Sequence, residues 1–141
     1  MKTVPVEFLD DLGRLALFEN LPAAELEAIV RSCGEASFGE GQWIIREGDV
    51  ESGLYMLVDG EVTIVIEGED RRVLSKGSFF GEISVLLDER ASASVAATKP
   101  VSCLTVPGSE VQAFLVDHPV VLYRMLRIEA RRLRTACAWR T

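Results

Sequence analysis

Hydrophobic residues recur at helical spacing near both ends of the chain and at strand spacing in its middle. The period is close to that of an α-helix over residues 6–18, and a second amphipathic helix is predicted over residues 22–33. Two more helices are predicted, one through residues 111–116 and one from Pro119 to Trp139. The pattern therefore predicts helices on both sides of a central segment of different structure.

Short β-prone runs separated by turn residues fill the central segment. Asp59-Gly60 and Gly68-Glu69-Asp70 are typical of hairpin turns. Many short antiparallel strands at this spacing indicate a barrel or a jelly-roll-like sandwich. The predicted strands are residues 43–45, 53–58, 61–66, 72–74, 94–97 and 101–106.

Length and composition fit one domain. The chain has 141 residues, of which 48% are hydrophobic and 26% charged, and it contains neither repeats nor a low-complexity linker. We expect a mainly β fold with flanking helices. Its parts are N-terminal helices in residues 1–34, a β-roll in residues 35–107 and C-terminal helices in residues 108–141.

Residues 77–95 carry the candidate chemistry. Gly77 and Gly81 let the backbone come close to a ligand, and a helix starting near Glu82 would direct unpaired N–H groups at a phosphate. Glu82 could accept hydrogen bonds from a sugar hydroxyl, and Arg90 offers a donor fork suited to phosphate oxygens. A tight turn with a capping Glu and a solvated Arg is the simpler alternative. The stretch is therefore a candidate anion pocket.

Charge is distributed unevenly along the chain, whose net charge is −7. Residues 119–141 hold six Arg against a single Glu, a net charge of +5, so the preceding residues carry −12. An acidic body with one basic helix does not favour nucleic acid as a partner. A solvated helix face is the simpler interpretation of the basic helix, and docking onto an acidic partner is the alternative.

Catalytic groups are scarce. The single histidine, His118, stands between Asp117 and Pro119, where a turn role is expected, and β-barrel metalloenzymes use two or three histidines. The three cysteines match no zinc spacing and are interpreted as reduced core residues. No signal segment and no apolar run of about 20 residues is present. We expect a cytoplasmic protein that is not an enzyme and does not bind a membrane.

Two glycine-anchored segments stand in order within the central part of the chain. One contains Arg46-Glu47-Gly48-Asp49 and continues to Asp59-Gly60-Glu61-Val62, and the other is Gly77-Ser78-Phe79-Phe80-Gly81-Glu82-Ile83-Ser84. Together they resemble the cyclic nucleotide-binding domain of bacterial regulators, protein kinase regulatory subunits and ion channels. The resemblance implies an eight-stranded jelly-roll β-roll, a double-stranded β-helix, flanked by helices. Residues 77–95 would be its phosphate-binding cassette.

The resemblance also implies a ligand, cAMP, with cGMP as the alternative. In such domains the Glu of the Gly-Glu pair holds the ribose 2′-hydroxyl, and a later Arg neutralises the cyclic phosphate. Purines stack against the roll, and the last helix swings in as a lid. The residues expected to bind the ligand are Phe80, Gly81, Glu82, Ile83, Ser84, Arg90, Ala91 and Ser92.

Two alignments of the cassette compete for the phosphate-binding Arg. Without a gap, the Arg position of the family falls on Ala91, followed by Ser92, and this register fits better. With a loop one residue shorter, Arg90 is the phosphate ligand, and Ala91 beside it lacks the hydroxyl that usually favours cGMP, which favours cAMP. Loss of the cationic partner would cost on the order of 2–5 kcal/mol, or roughly one and a half to four decades in affinity.

The expected function is a regulatory sensor that acts through movement of its C-terminal helix on an unidentified protein partner or in a homodimer. Trp139 could cap the purine as part of a lid, although a packing role is the commoner one for such a residue. The alternative is a non-sensing interaction or adaptor module that has lost nucleotide affinity because Ala91 occupies the Arg position. No DNA-reading helix-turn-helix follows the last helix, so a complete chain of this kind would be a stand-alone sensor or adaptor.

Overall fold

Two four-stranded antiparallel sheets form the centre of the computed structural model, which describes Leu9, residues 12–50 and residues 53–137. The strands are β1 Gly34–Phe38, β2 Trp43–Ile45, β3 Gly53–Asp59, β4 Glu61–Ile66, β5 Glu69–Ser75, β6 Phe79–Phe80, β7 Ser94–Ala97 and β8 Val101–Pro107. The helices are α1 Ala23–Ser32, α2 Glu82–Leu87, α3 Gly108–Asp117 and α4 Pro119–Ala136. The predicted β-roll with flanking helices is confirmed.

The strand order is β1-β8-β3-β6 in one sheet and β2-β7-β4-β5 in the other. Strands β3 and β4 therefore belong to different sheets, and the prediction of a hairpin at Asp59-Gly60 is wrong. Gly60 instead turns the chain from one sheet to the other at φ 101°, where a Cβ atom would lie 2.3 Å from the Pro100 carbonyl oxygen. Only glycine fits so close to a neighbouring strand.

The hairpin between β4 and β5 is present, but its turn is earlier than predicted. Glu67 and Gly68 form the turn with φ of 52° and 79°, and Glu69 already pairs with Ile66. Two consecutive positive φ angles are those of the tight two-residue turn that matches strand twist. The predicted turn residues Glu69 and Asp70 are thus part of β5.

Two strands were not predicted, β1 and β6. Strand β1 pairs with β8 from Gly34↔Thr105 to Phe38↔Val101, although its small and polar residues show no hydrophobic alternation. Strand β6 is a pair of phenylalanines whose partners are Tyr55 and Met56 on β3. Both strands are specified by pairing with distant segments, which local pattern does not reveal.

The N-terminal helix predicted over residues 6–18 is wrong in its second half. Residues 13–20 form successive turns, with the amide of Leu15 bonded to the Leu12 carbonyl and that of Phe18 to the Leu15 carbonyl. Leu15, Leu17 and Phe18 are nevertheless buried, whereas Ala16, which the helical spacing also placed on the apolar face, is exposed. Residues 1–8, 10 and 11 lie outside the described residues.

Two hydrophobic clusters stabilise the fold. The larger joins the N-terminal turns, α1, α3 and α4 to the first sheet, through residues such as Phe18, Ile29 and Leu104. The smaller lies between the sheets and includes Leu57, Phe80 and other residues. No helix within the described ranges combines the length and apolar character that crossing a bilayer requires.

Candidate functional site

A cavity of about 450 Å³ opens between the second sheet, the segment after β6 and the C-terminal half of α4. This volume is within the range of small-molecule sites, roughly 300–1,000 Å³. We call it the cassette cavity. Its lining is Ile45, Ile64, Arg72, Leu74, Phe79, Phe80, Gly81, Glu82, Ile83, Ser84, Ala91, Ser92, Ala93, Val95, Glu129, Arg132, Leu133 and Ala136.

Gly81 sets the start of the short helix α2 beneath this cavity. Its φ is 87°, and a Cβ atom there would lie 2.2 Å from the Gly53 carbonyl oxygen. The Ser84 hydroxyl donates to the Gly81 carbonyl at 3.3 Å, and the Glu89 amide donates to the Ser84 carbonyl at 2.9 Å. Glycine at position 81 is therefore required by the backbone geometry at the start of α2.

Aromatic side chains hold the strand that leads into the cassette. The rings of Tyr55 and Phe80 stack with centroids 5.0 Å apart and planes within 2°. The two residues also face each other across β3 and β6. Because Phe80 is buried, the backbone that follows it is held against the first sheet.

Glu82 is buried beside the cavity with one oxygen atom unpaired. Its exposed fraction is 4%, and its Oε2 atom has no hydrogen-bond partner. Burial, together with the charge of Glu129, raises the pKa of Glu82 to about 7, although the Arg132 guanidinium acts in the opposite direction. A buried acceptor without a partner is rare in folded proteins, so this oxygen calls for an explanation.

Arg132 brings a positive charge into the cavity from α4. Its Nη1 lies 2.8 Å from Glu129 Oε1 and 3.9 Å from Glu82 Oε1. Its guanidinium carbon lies 4.7 Å from the centre of the Phe79 ring, and Nη2 is 3.5 Å from the Phe79 carbonyl oxygen. The Nε atom is buried and has no partner. Arg132 therefore joins the last helix to the cassette.

Sequence reasoning missed Arg132 and Arg72 as cavity residues, since the arginines of the last helix were interpreted as a solvated face. Arg132 is 50 positions beyond Glu82, and no local spacing relates the two residues. Arg72 belongs to β5, the strand whose start was predicted too late. Finding Arg72 would have required the register in which β5 pairs with β4, and no sequence motif gives that register.

The loop after α2 places Ala91 and Ser92 in the cavity wall, while Arg90 is not among the lining residues. The Arg90 guanidinium donates to the Gly48 carbonyl at 3.2 Å. Ala91 exchanges backbone hydrogen bonds with the turn opposite, accepting from the Gly48 amide at 2.8 Å and donating to the Asp49 carbonyl at 3.0 Å. The two glycine-anchored motifs thus meet in space. That Arg90 contacts a phosphate stays a prediction.

The remaining candidate residues lie elsewhere. His118 is buried near α1, with Nδ1 3.4 Å from Glu25 Oε1 and its ring 5.0 Å from the Phe114 ring. Burial raises the pKa of Cys33 and of Cys103 to about 12, so both stay thiols at neutral pH. Trp139 lies outside the described residues. Among the described residues, no His, Cys, Asp and Glu side chains cluster in a way that could hold a metal ion.

The chain is similar to several known proteins. A cGMP-dependent protein kinase of Plasmodium berghei is 36% identical over 119 residues, 84% of this chain but 14% of the kinase. The crystal structure of the Thermus thermophilus catabolite activator protein matches with a TM-score of 0.75 and 28% identity, covering 86% of this chain and 59% of that one. The chain thus spans only part of these relatives.

A third match is the solved structure of PKAR CBD2 with Sp-2Cl-cAMPS bound. It has a TM-score of 0.75 at 18% identity and covers 92% of this chain and 89% of that one. At this identity the likeness is one of fold. The model of the cyclic nucleotide-binding domain family matches residues 35–118, which include both sheets and the cassette. With a two-sheet roll, a Gly-Glu cassette and a family match over more than half of its length, the chain belongs to the cyclic nucleotide-binding domain family.

Proposed function

We propose that the cassette cavity binds a cyclic purine nucleotide and that the chain is a regulatory module without catalytic activity. The observation that carries the proposal is the unpaired Oε2 atom of buried Glu82 in a cavity lined by cassette residues. A ribose hydroxyl donated to this oxygen would satisfy it. In the family the corresponding Glu makes that contact, and here the position carries over without a gap.

The phosphate would lie over the start of α2 and the loop at Ala91 and Ser92, both of which line the cavity. Backbone N–H groups at Ile83 and Ser84 are available in the first turn of α2, since they have no acceptor within the helix. Arg132 and Arg72 are the cations of this cavity. Because Arg90 reaches the Gly48 carbonyl, we assign it to holding the loop unless ligand binding draws it inward.

We propose that the ligand is a cyclic purine nucleotide. Measurement must decide whether cAMP or cGMP binds more tightly. The expectation of cAMP depended on Arg90 as the phosphate ligand with Ala91 beside it. In the register without a gap the neighbouring residue is Ser92, whose hydroxyl would favour cGMP. The Plasmodium berghei relative is named as cGMP-dependent, and structural neighbours include domains bound to cAMP analogues.

Signal output would pass through α4. Arg132 contacts both Glu82 and the Phe79 carbonyl, so a ligand that takes over Glu82 would change how α4 is held. The partner would be a second copy or another protein bound to α4. Trp139, which lies outside the described residues, would act as a lid residue. Three free cysteines agree with a cytoplasmic location.

Titration calorimetry with cAMP and with cGMP tests the proposal. We expect saturable binding of at least one nucleotide, weakened roughly 10–100-fold by Glu82→Ala because a hydrogen bond to a charged group is lost. Glu89→Ala removes an exposed carboxylate from the same segment outside the cavity lining, and it should bind as the parent does. The proposal is wrong if neither nucleotide gives a heat of binding at millimolar concentration.

A second candidate, a non-sensing scaffold for protein interaction, is favoured by two observations. Arg132 already lies 3.9 Å from Glu82, and Ala91 puts no charge in the cavity wall. In that case the internal ion pair would replace the ligand. The scaffold predicts a folded protein that binds neither nucleotide, with Arg132→Ala reducing stability and restoring no affinity.

A further inference from the structure

A second cavity lies on the other side of Arg132 and Phe79. Its volume is about 490 Å³, and both of those residues line it as well as the cassette cavity. We call it the basic cavity. It is lined by Arg14, Leu15, Ala16, Lys76, Gly77, Ser78, Phe79, Ile128 and Arg132.

Among the described residues, three cations and no acidic side chain line this cavity. Arg132 is neutralised in part by Glu129 at 2.8 Å, but Arg14 and Lys76 form no ion pair within the described part of the chain. Arg14 and Lys76 are exposed at the mouth of this recess, so their positive charges are accessible to an anion from solvent. The whole chain carries a net charge of −7, so this group of unpaired cations is a positive region on an otherwise acidic protein.

The positive surface continues along α4. A smaller cavity of about 250 Å³ shares Ala16 and Ile128 with the basic cavity, and it adds Arg124, Arg127 and Arg131 against a single acid, Glu19. Arg124 is held in place because it donates to the Leu17 carbonyl at 3.1 Å. An anion approaching this side of the molecule is therefore attracted toward the recess at Lys76 and Arg14.

We propose that the basic cavity binds a compact small-molecule anion carrying two or more phosphoryl groups. At least two cations without partners call for at least two negative charges, and Arg and Lys are both suited to phosphate oxygens. The Ser78 side chain, which also lines the cavity, adds a hydroxyl donor, whereas the Gly77 amide is already bonded to the Leu57 carbonyl. The site does not depend on nucleotide binding in the cassette cavity.

The shape of the recess and the charge of the whole chain set this ligand apart from larger polyanions. A membrane surface or a nucleic acid duplex is too broad to enter a recess of this volume. Either would also face the −12 carried by residues 1–118. An acidic peptide segment is the remaining competitor, and it would spread along α4 to Arg124 and Arg127 instead of filling the recess.

Calorimetric titration of the full chain with inorganic pyrophosphate, without cyclic nucleotide, tests the site. We expect saturable binding that is tighter than that of orthophosphate and weaker at high salt. Lys76→Ala and Arg14→Ala should each weaken it about tenfold or more, because a charge-assisted contact is lost. Lys99→Ala removes the same charge from an exposed pair with Glu61, and it should leave binding unchanged.

Three results would overturn the proposal. The first is the absence of saturable pyrophosphate binding at millimolar concentration. The second is loss of binding in Arg72→Ala but not in Lys76→Ala, since Arg72 lines only the cassette cavity. The third is tighter binding of hexaglutamate than of pyrophosphate, which would identify an acidic protein segment as the occupant.

Discussion

Glu82 is the residue on which the proposed nucleotide site depends. Burial of its ionised carboxyl group without a partner for Oε2 lowers the stability of the folded chain, and it leaves the same oxygen available to a ligand hydroxyl. Desolvation raises its pKa to about 7, against an ordinary value of 4.5. The folded chain therefore binds a proton more readily than the unfolded chain between these values. The same carboxyl group, when ionised, is the acceptor that a ribose hydroxyl requires.

The raised pKa of Glu82 predicts a pH-dependent stability difference. Its contribution is fully present below pH 4.5 and is lost as the pH rises through about 7, by roughly 3 kcal/mol at most. Stability measured by urea unfolding should thus fall less for Glu82→Gln than for the parent between pH 5 and pH 8. Glu89→Gln is the matched control and should follow the parent, and parallel curves for all three would contradict the assigned pKa.

A side chain at position 81 should lower the stability of the folded chain. Gly81→Ala combines a positive φ with a Cβ atom 2.2 Å from the Gly53 carbonyl, so we expect a loss of about 3 kcal/mol or more in the free energy of unfolding. Gly41→Ala has a similar φ of +86° and nothing within 4 Å, and should cost roughly 1–2 kcal/mol. Equal losses in chemical denaturation would show that no close approach exists at Gly81.

At the scale of elements, the cassette depends on α2 and α4 being held together. A helix of six residues such as α2 is not stable alone, and it is fixed here by Gly81 at its start and by the loop at Ala91 after it. Arg132 then ties α4 to the strand before the cassette through the Phe79 carbonyl. These contacts hold α4 against the cassette cavity, which Arg132 also lines.

Arg132 therefore predicts the local stability of the end of α4. Arg132→Ala should speed amide hydrogen exchange in residues 129–136 on the order of tenfold, because contacts of a part-buried charged group are lost. Arg134→Ala removes the same charge from an exposed position two residues away and should leave the rates unchanged. If the two variants exchange alike, Arg132 does not hold the helix.

Sequence patterns predicted those elements whose periodicity is set by burial on one face. Strands β3, β4, β7 and β8 and the helices α1, α3 and α4 have such a face, and they were found within a few residues. Strand β1 was not found, because it is an edge strand specified by its pairing with β8. The turns of residues 13–20 bury Leu15 and Phe18 as a helix could, so hydrophobic spacing alone did not distinguish the two backbones.

The candidate site divides in the same way. Gly81 and Glu82 could be identified because their chemistry is local, a glycine-started helix with its carboxylate in the first turn. Arg132 could not, since it meets Glu82 only after both sheets and α4 have packed. One of the two cassette alignments placed Arg90 at the phosphate. In the structure its guanidinium donates to the carbonyl of Gly48, in the turn after β2, and the sequence of the cassette does not reveal this contact.

At the scale of the molecule, α4 has an apolar stripe that the described part of the chain leaves uncovered. Leu122, Leu126 and Leu133 lie on one face and are 42%, 63% and 66% exposed. An exposed stripe of this kind on a helix suits a second copy of the same helix. The stripe adjoins the cassette cavity, because Leu133 also lines it. Ligand binding and association would therefore share one element.

Leu126→Glu tests this association. A charge in the centre of the stripe should abolish a homodimer, so light scattering should give the dimer mass for the parent and the monomer mass for the variant. Val116→Glu alters a side chain on α3 that is 68% exposed, and it should keep the parent mass. A monomeric parent across the measured concentrations would remove the homodimer and leave only a heterologous partner.

The central claim is that the cassette cavity of this chain binds a cyclic nucleotide, and an amide chemical-shift titration of the labelled chain with cAMP and cGMP tests it most directly. The account predicts saturable shifts in residues 79–84 and 91–95 and in residues 129–136 of α4, with the largest at Glu82 and its neighbours. Unchanged spectra at millimolar concentration of both nucleotides, or shifts confined to residues outside the cavity lining, would contradict it.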